Sequence, residues 1–250
     1  MALYTDSPVF TIEELMAYET GVLDTAQREG INLTTKIHLA REEVGLELLS
    51  VLRRTPVPGG GTADLARVVV TAPLRLWQIF HTLAIVYRDA HHSQLNQRYR
   101  GKWQEYSALG RWAAGLLFQI GVGTVTNPIP EADAPVLSET AGSLATGVYS
   151  VQVAWTNAAG QEGAPSNLAS IAIQGGGTLE VGVPQPPAGT TGWNVYVGAT
   201  PSDLFQQNAT ALSPTQTWVA PGVSLASGKR PGTGQEPDTL RPMPRVTLRA

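Results

Sequence analysis

The chain has no cysteine among its 250 residues, which removes disulfides and thiolate metal sites and leaves packing or oligomerisation to stabilise the fold. Between Thr126 and Leu225 there is no Lys or Arg either, although six acids occur there: Glu131, Asp133, Glu139, Glu162, Glu180 and Asp203. Such a surface repels phosphate, so nucleic-acid binding by this stretch is disfavoured. The longest apolar run, within Trp112 to Val122, falls far short of the roughly 20 residues that a membrane span needs. Met1 to Phe10 has neither the basic nor the apolar region of a secretion signal. These absences lead us to expect a soluble protein made inside the cell, without a membrane partner.

Catalytic signatures are missing too. The four histidines are His38, His81, His91 and His92. None of the last three, on or near one helix, shares the i, i+3 or i, i+4 spacing of a metal pair, so no metal is expected. The chain contains no Gly-x-Ser-x-Gly, no phosphate-binding Gly-x-x-x-x-Gly-Lys-Ser/Thr and no His-Glu-x-x-His. Gly121-Val-Gly123 is read as a helix stop and hinge. The paired acids Glu13, Glu14 and Glu42, Glu43, with Lys36 and Arg41 nearby, look like a solvated helix face. Neither an enzyme nor a cofactor is expected.

What is present divides the chain into three. Residues 1–125 carry twelve acids and twelve bases, 126–225 carry only acids, and 226–250 carry five bases against two acids. In the first part Thr11 and Glu14 have capping-box spacing and Phe10 and Leu15 the spacing of a hydrophobic staple, so a helix should begin at Ile12. Gly21 interrupts its stripe and Gly30 stops it. A second helix runs from Asn32 to Arg53 and Arg54 on the stripe Ile37, Ala40, Val44, Leu48 and Val51. The segment Thr55 to Thr62 is a Pro- and Gly-rich loop. Pro73 suits the first turn of a third helix, with Leu76, Phe80, Leu83 and Tyr87 facing inward as far as about Arg100, where Gly101 bends or ends it.

From Lys102 to Ile120 there are two apolar stripes, one of Trp103, Tyr106, Ala113 and Leu117, the other of Leu109, Trp112, Leu116 and Ile120. Two stripes call for burial on two sides. This is either the central helix of a four-helix bundle or a helix with one face on a neighbouring subunit. Arg98, Arg100, Lys102 and Arg111, interleaved with Tyr99, Trp103 and Tyr106, form a basic patch that subunit contacts or DNA in a channel could use.

The second part alternates with a period of two at Tyr149 to Trp155, Ala169 to Ile173, Leu179 to Val183 and Trp193 to Val197, with Gly and Pro clusters between. That is the pattern of an antiparallel β-sandwich. The run Gly192-Trp-Asn-Val-Tyr-Val-Gly198, following Trp155 and the loop Gly160 to Ser166, resembles a fibronectin type III or related immunoglobulin-like module. The third part has four prolines after Lys229 and cannot be helical. Its end, Arg245-Val-Thr-Leu-Arg249, is a β-prone string suited to adding a strand to a partner. The organisation expected is therefore α+β: a helical bundle over 1–125, an immunoglobulin-like sandwich over 126–225 and an extended basic arm over 226–250.

Glu13-Glu14-Leu15, Tyr18-Glu19, Leu23-Asp24, Glu29 to Leu33, Lys36-Ile37, Leu39 to Glu43, Arg75-Leu76-Trp77 and Val86 to Asp89 together resemble the head-to-tail connector adaptors of tailed bacteriophages. The resemblance covers residues 10–120 and the arm. It implies a virion structural protein at the neck, assembled in the host cytoplasm as a homo-oligomeric, twelve-subunit ring. Its partners would be the portal and tail or head-completion proteins, with DNA passing through the lumen. It further implies a portal contact through Lys229, Arg230, Leu240, Arg241, Met243, Arg245, Val246, Leu248 and Arg249, and a subunit interface at Leu109, Trp112, Leu116 and Ile120. The inserted sandwich departs from the plain family pattern. It keeps open a carbohydrate- or host-surface-binding module of a tail or baseplate, with Trp155, Trp193 and Trp218 as stacking candidates.

Overall fold

The computed structural model describes residues 1–54, 64–94, 97–222 and 224–242. They form an α+β protein, with five α-helices followed by antiparallel sheets. The chain separates into a helical unit, residues 7–124 with 237–250, and a β unit, residues 1–6 with 125–236.

In the helical unit, Thr11 and Glu14 close the capping box that starts α1 (Ile12–Tyr18), and Phe10 and Leu15 are both buried. Gly21 is the N-cap of α2 (Val22–Glu29), and Gly30 ends it with φ of 66°. Asn32 Oδ1 accepts from the Thr35 backbone N–H at 3.0 Å to start α3 (Leu33–Arg54). The loop expected at 55–62 lies outside the described residues. Next comes α4 (Ala72–Gln94), which ends earlier than the pattern suggested. Tyr99, in a 3-10 turn, rests its ring 6.1 Å from that of Tyr87 and donates its hydroxyl to Glu29, so the chain reverses before Gly101. Gly101 itself sits in the first turn of α5 (Arg100–Ile120).

The centre of the unit is α4 and not α5. Leu74, Trp77, Ile79, Phe80, Leu83, Ile85, Val86 and Tyr87 are all buried, a spread that covers more than one face of α4. Helix α5 runs back along it, with Tyr106 stacked on Tyr87 at 5.7 Å and Phe118 against Trp77 at 5.8 Å. Only the Tyr106, Ala113 and Leu117 side of α5 is covered; the expected burial on two sides is not met within one chain. After α5, strand β1 (Val122–Thr124) pairs with β9 (Thr239–Arg241), and Thr124 also bridges to Val68.

The β unit has two antiparallel sheets, ordered β2-β5-β8 and β4-β3-β6-β7. The strands are β2 (Val136–Ala141), β3 (Gly147–Thr156), β4 (Ala169–Ile173), β5 (Gly177–Gly182), β6 (Gly192–Gly198), β7 (Phe205–Gln206) and β8 (Trp218–Val219). Val151, Val153, Trp155, Trp193, Val195 and Val197 from one sheet share a core with Leu179, Val181 and Trp218 from the other. The registers Val153↔Val195 and Trp155↔Trp193 follow from matched alternation on β3 and β6. Strand β6 is buried along its whole length, because Tyr196 on its other face packs with Ala154 and Leu204 in a second cluster.

Two boundaries differ from those read in the sequence. Residues 1–6 belong to the β unit: Leu3 and Tyr4 are buried, and Asp6 accepts backbone hydrogen bonds from Leu3 and Glu131. Residues 226–250 are not one free arm. Residues 226–236 strap the β unit, and 237–241 return to the helical unit through β9. Both differences come from pairings between segments far apart in sequence, from 27 residues for Arg230 and Asp203 to 125 for Asp6 and Glu131, which local pattern cannot register.

Candidate functional site

The cations assigned to a portal contact start with Lys229 and Arg230, and both are engaged within the chain. Lys229 Nζ donates to Glu162 Oε2 at 2.8 Å. Arg230 donates to Asp203 Oδ1 at 2.9 Å and to the Ser202 carbonyl at 3.2 Å, with its guanidinium 5.4 Å from the Phe205 ring centroid. The strap is also tied by backbone, since Gln206 N–H donates to the Lys229 carbonyl at 2.8 Å. Buried Gln235 accepts from Ile129 N–H at 2.6 Å and donates to the Asn127 carbonyl at 3.1 Å.

Glu162 anchors this strap and was not singled out in the sequence. Its Oε1 accepts from the Tyr196 hydroxyl and from Asn194 Nδ2 at 3.1 Å, while Oε2 takes Lys229. Burial, then the bond to Glu162, push the Tyr196 hydroxyl well above its ordinary pKa and hold it protonated as a donor. The charge map held one signal: within a stretch of 100 residues without a base, any cation that pairs with Glu162 has to come from elsewhere in the chain, and Lys229 is the first base to follow.

Further along, Leu240 pairs with Gly123 and Arg241 with Val122. Gly121 has φ of 123°, and a Cβ there would lie 2.7 Å from the Arg241 backbone, so glycine is required for β9 to approach. The reading of Gly121-Val-Gly123 as a stop holds at Gly121, whose N–H caps Leu117; instead of a hinge, the segment is a docking strand. The Leu240 side chain remains half-exposed. Met243, Arg245, Val246, Leu248 and Arg249 lie outside the described residues.

The four residues assigned to a subunit interface share one face of α5. Trp112 is 56% exposed and Ile120 46%, while Leu109 and Leu116 are half-buried. The rotation of α5 that turns this face outward is fixed by Glu19. Its carboxylate accepts from Lys102 Nζ, from the Tyr106 hydroxyl at 2.7 Å and from Gly21 N–H at 3.1 Å. Burial raises the Glu19 pKa, but these donors outweigh it, so the net shift is downward. Burial together with the Glu19 bond pushes Tyr106 up, so its hydroxyl stays a donor.

The basic patch read from Arg98 to Arg111 is not one surface. Arg98 pairs with Glu29 and Lys102 with Glu19, while Tyr99 and Tyr106 are buried. His91 is buried, with its ring 5.7 Å from that of Trp103. Among the described residues no group of three or more His, Asp or Glu could hold a metal ion. One further feature had no sequence signal, because three helices build it. A cavity of about 230 Å³ lies over α4 between α3 and α5, walled by Trp77, Trp103 and Tyr106 and edged by Arg88, Arg111 and Glu47.

Neither a protein-family model nor a curated protein matches the chain. What the arrangement offers chemically is a pair of binding surfaces: an apolar helix face, and an aromatic cavity edged by two guanidinium groups and one carboxylate.

Proposed function

We propose that the chain is a virion structural protein of a tailed bacteriophage, whose helical unit, a bundle around α4, builds a ring at the neck between portal and tail. The observation that carries this reading is the α5 face of Leu109, Trp112, Leu116 and Ile120, an apolar row in which Trp112 and Ile120 are exposed and Leu109 and Leu116 only half-buried in a single chain. A neighbouring copy would bury it and complete the two-sided burial that its pattern demands. DNA would pass through the lumen of such a ring. With Lys229 and Arg230 paired to Glu162 and Asp203, the portal contact in this reading would draw on Leu240 and the residues from Met243 onward.

The β unit fits an immunoglobulin-like sandwich in this reading. The order β7-β6-β3-β4 facing β2-β5 corresponds to strands G-F-C-C′ facing B-E, and Trp155 occupies the place of the buried Trp on strand C. Strand β8 departs from that scheme by lying beside β5 although it is the last strand of the β unit. Glycan recognition, the alternative role, has no observation in its favour: the stacking candidates Trp155, Trp193 and Trp218 are 2%, 0% and 7% exposed.

The test is immunogold electron microscopy of intact particles with an antibody against the β unit. We expect gold at the head-tail junction. Gold at the tail tip would favour receptor binding, and unlabelled particles would overturn the neck reading.

A further inference from the structure

The apolar face and the cavity are both on α5, yet on different sides of it. Trp112 follows Ser107, which lines the cavity, by five residues, and at 3.6 residues per turn the two lie about 140° apart around the helix axis. A protruding indole on one side and an unfilled aromatic hollow on the other are the two halves of a head-to-tail contact. We infer that Trp112 of one copy inserts into the cavity between α3, α4 and α5 of the next copy. This rests on the ring reading above and specifies its interface.

Size supports the match. A cavity of about 230 Å³ is smaller than the roughly 300–1,000 Å³ typical of small-molecule pockets and suits one large side chain. Its walls are chemically apt, because Trp77, Trp103 and Tyr106 offer ring faces and edges to an entering indole. Arg88 and Arg111 can stack on the same indole.

Charge supports the direction. Glu105 is exposed on the Trp112 face, seven residues and about 10.5 Å before it along α5. It has no ion-pair partner among the described residues, and neither do Arg88 and Arg111 at the cavity. Docking the indole brings an unpaired carboxylate toward an edge of two guanidinium groups and one carboxylate, Glu47, where the two cations outnumber the one anion. Since the donor and acceptor surfaces differ, the contact is heterologous, and repeating it makes a ring or a filament.

Sedimentation velocity of the full chain over a concentration series tests this. Wild type should form higher oligomers. Trp112→Ala, which lacks the indole, and Ser107→Trp, which fills the hollow, should each weaken association at least about 30-fold, as removal of an interface hot spot does. An equimolar mixture of the two variants should give 1:1 dimers and nothing larger, because it holds one intact indole and one intact hollow. If Ser107→Trp loses helical circular dichroism, Arg111→Glu serves instead: it should weaken assembly, and adding Glu105→Arg to the same chain should restore it. Variants that assemble like wild type, a mixture that stays monomeric, or no rescue by charge exchange would overturn the inference while leaving the neck assignment to the gold label. A monomeric wild type at every concentration would overturn it as well.

Discussion

Glu19 and Glu162 are two carboxylates with little exposure, and each gathers donors from chain segments far apart in sequence. Their removal should therefore cost more than that of a surface acid. Glu162→Ala leaves the Tyr196 hydroxyl and Asn194 Nδ2 without their acceptor and frees Lys229. We expect a loss of about 1–3 kcal/mol in urea-unfolding stability, the usual penalty for an unsatisfied buried polar group, with Glu162→Gln keeping part of it. For Glu19 the consequence is pH dependence. Its folded pKa lies below the ordinary 4.5, so its stabilising contribution is complete above that pH and is lost as pH falls through the folded value. Helical circular dichroism under urea should show the midpoint falling below pH 4.5, and Glu19→Gln should flatten that part of the dependence. The same scale explains Gly121, where a Cβ would combine a left-handed φ with a clash against Arg241. Gly121→Ala should displace β9, seen as faster amide exchange at Gly123 and Leu240.

Among the elements, α5 and β9 carry the functional argument. Helix starts and stops were legible in the sequence because caps, staples and stripes are interactions within four residues: the box at Thr11 and Glu14, the cap at Asn32 and the stop at Gly30 all formed where their residue types placed them. Which of the two long apolar helices would be central was not legible. Both α4 and α5 have broad apolar surfaces, and only the packing of α2, α3 and α5 around α4 decides that α4 takes the middle and α5 keeps a face outside. Strand β9 was likewise unreadable as part of this chain's own fold. Its three residues read equally well as donors to a partner, and the edge that accepts them, β1, lies more than a hundred residues earlier. Deleting residues 237–250 should therefore leave the β1 edge open and lower the stability of the helical unit by about 2 kcal/mol, in line with losing two or three net backbone hydrogen bonds. Equal stability with and without the segment, measured by urea titration of the ellipticity at 222 nm, would contradict the pairing's energetic role.

Taken whole, the molecule is two units that each borrow a terminal segment from beyond their main span. Removing residues 1–6 takes Leu3 and Tyr4 from the β unit, where they are 2% and 3% exposed. At about 1.5–3 kcal/mol per fully buried large apolar side chain, we expect the β unit to lose about 3 kcal/mol or more. Fluorescence of a variant whose remaining tryptophans are Trp155, Trp193 and Trp218 would read that loss separately from the helical unit. For the same reason, a fragment cut at 125 and 126 should yield two pieces that are both less stable than their counterparts in the full chain.

By itself the sequence determined the α+β order, the helix caps, the strand alternation and the three-part charge map, because each is carried by residue types a few positions apart or by composition. It also marked Leu109, Trp112, Leu116 and Ile120 as a second apolar stripe on one helix. Only the tertiary structure decided that this stripe stays outside, that a hollow of matching size opens on another side of the same helix, and that Lys229 and Arg230 serve the chain's own acids. Those outcomes depend on contacts such as Tyr106 to Glu19, Lys229 to Glu162 and Gln235 to Ile129, which are 87, 67 and 106 residues apart. Periodicity and local propensity fix what a segment is; which distant segment it meets is set by the packing of the whole.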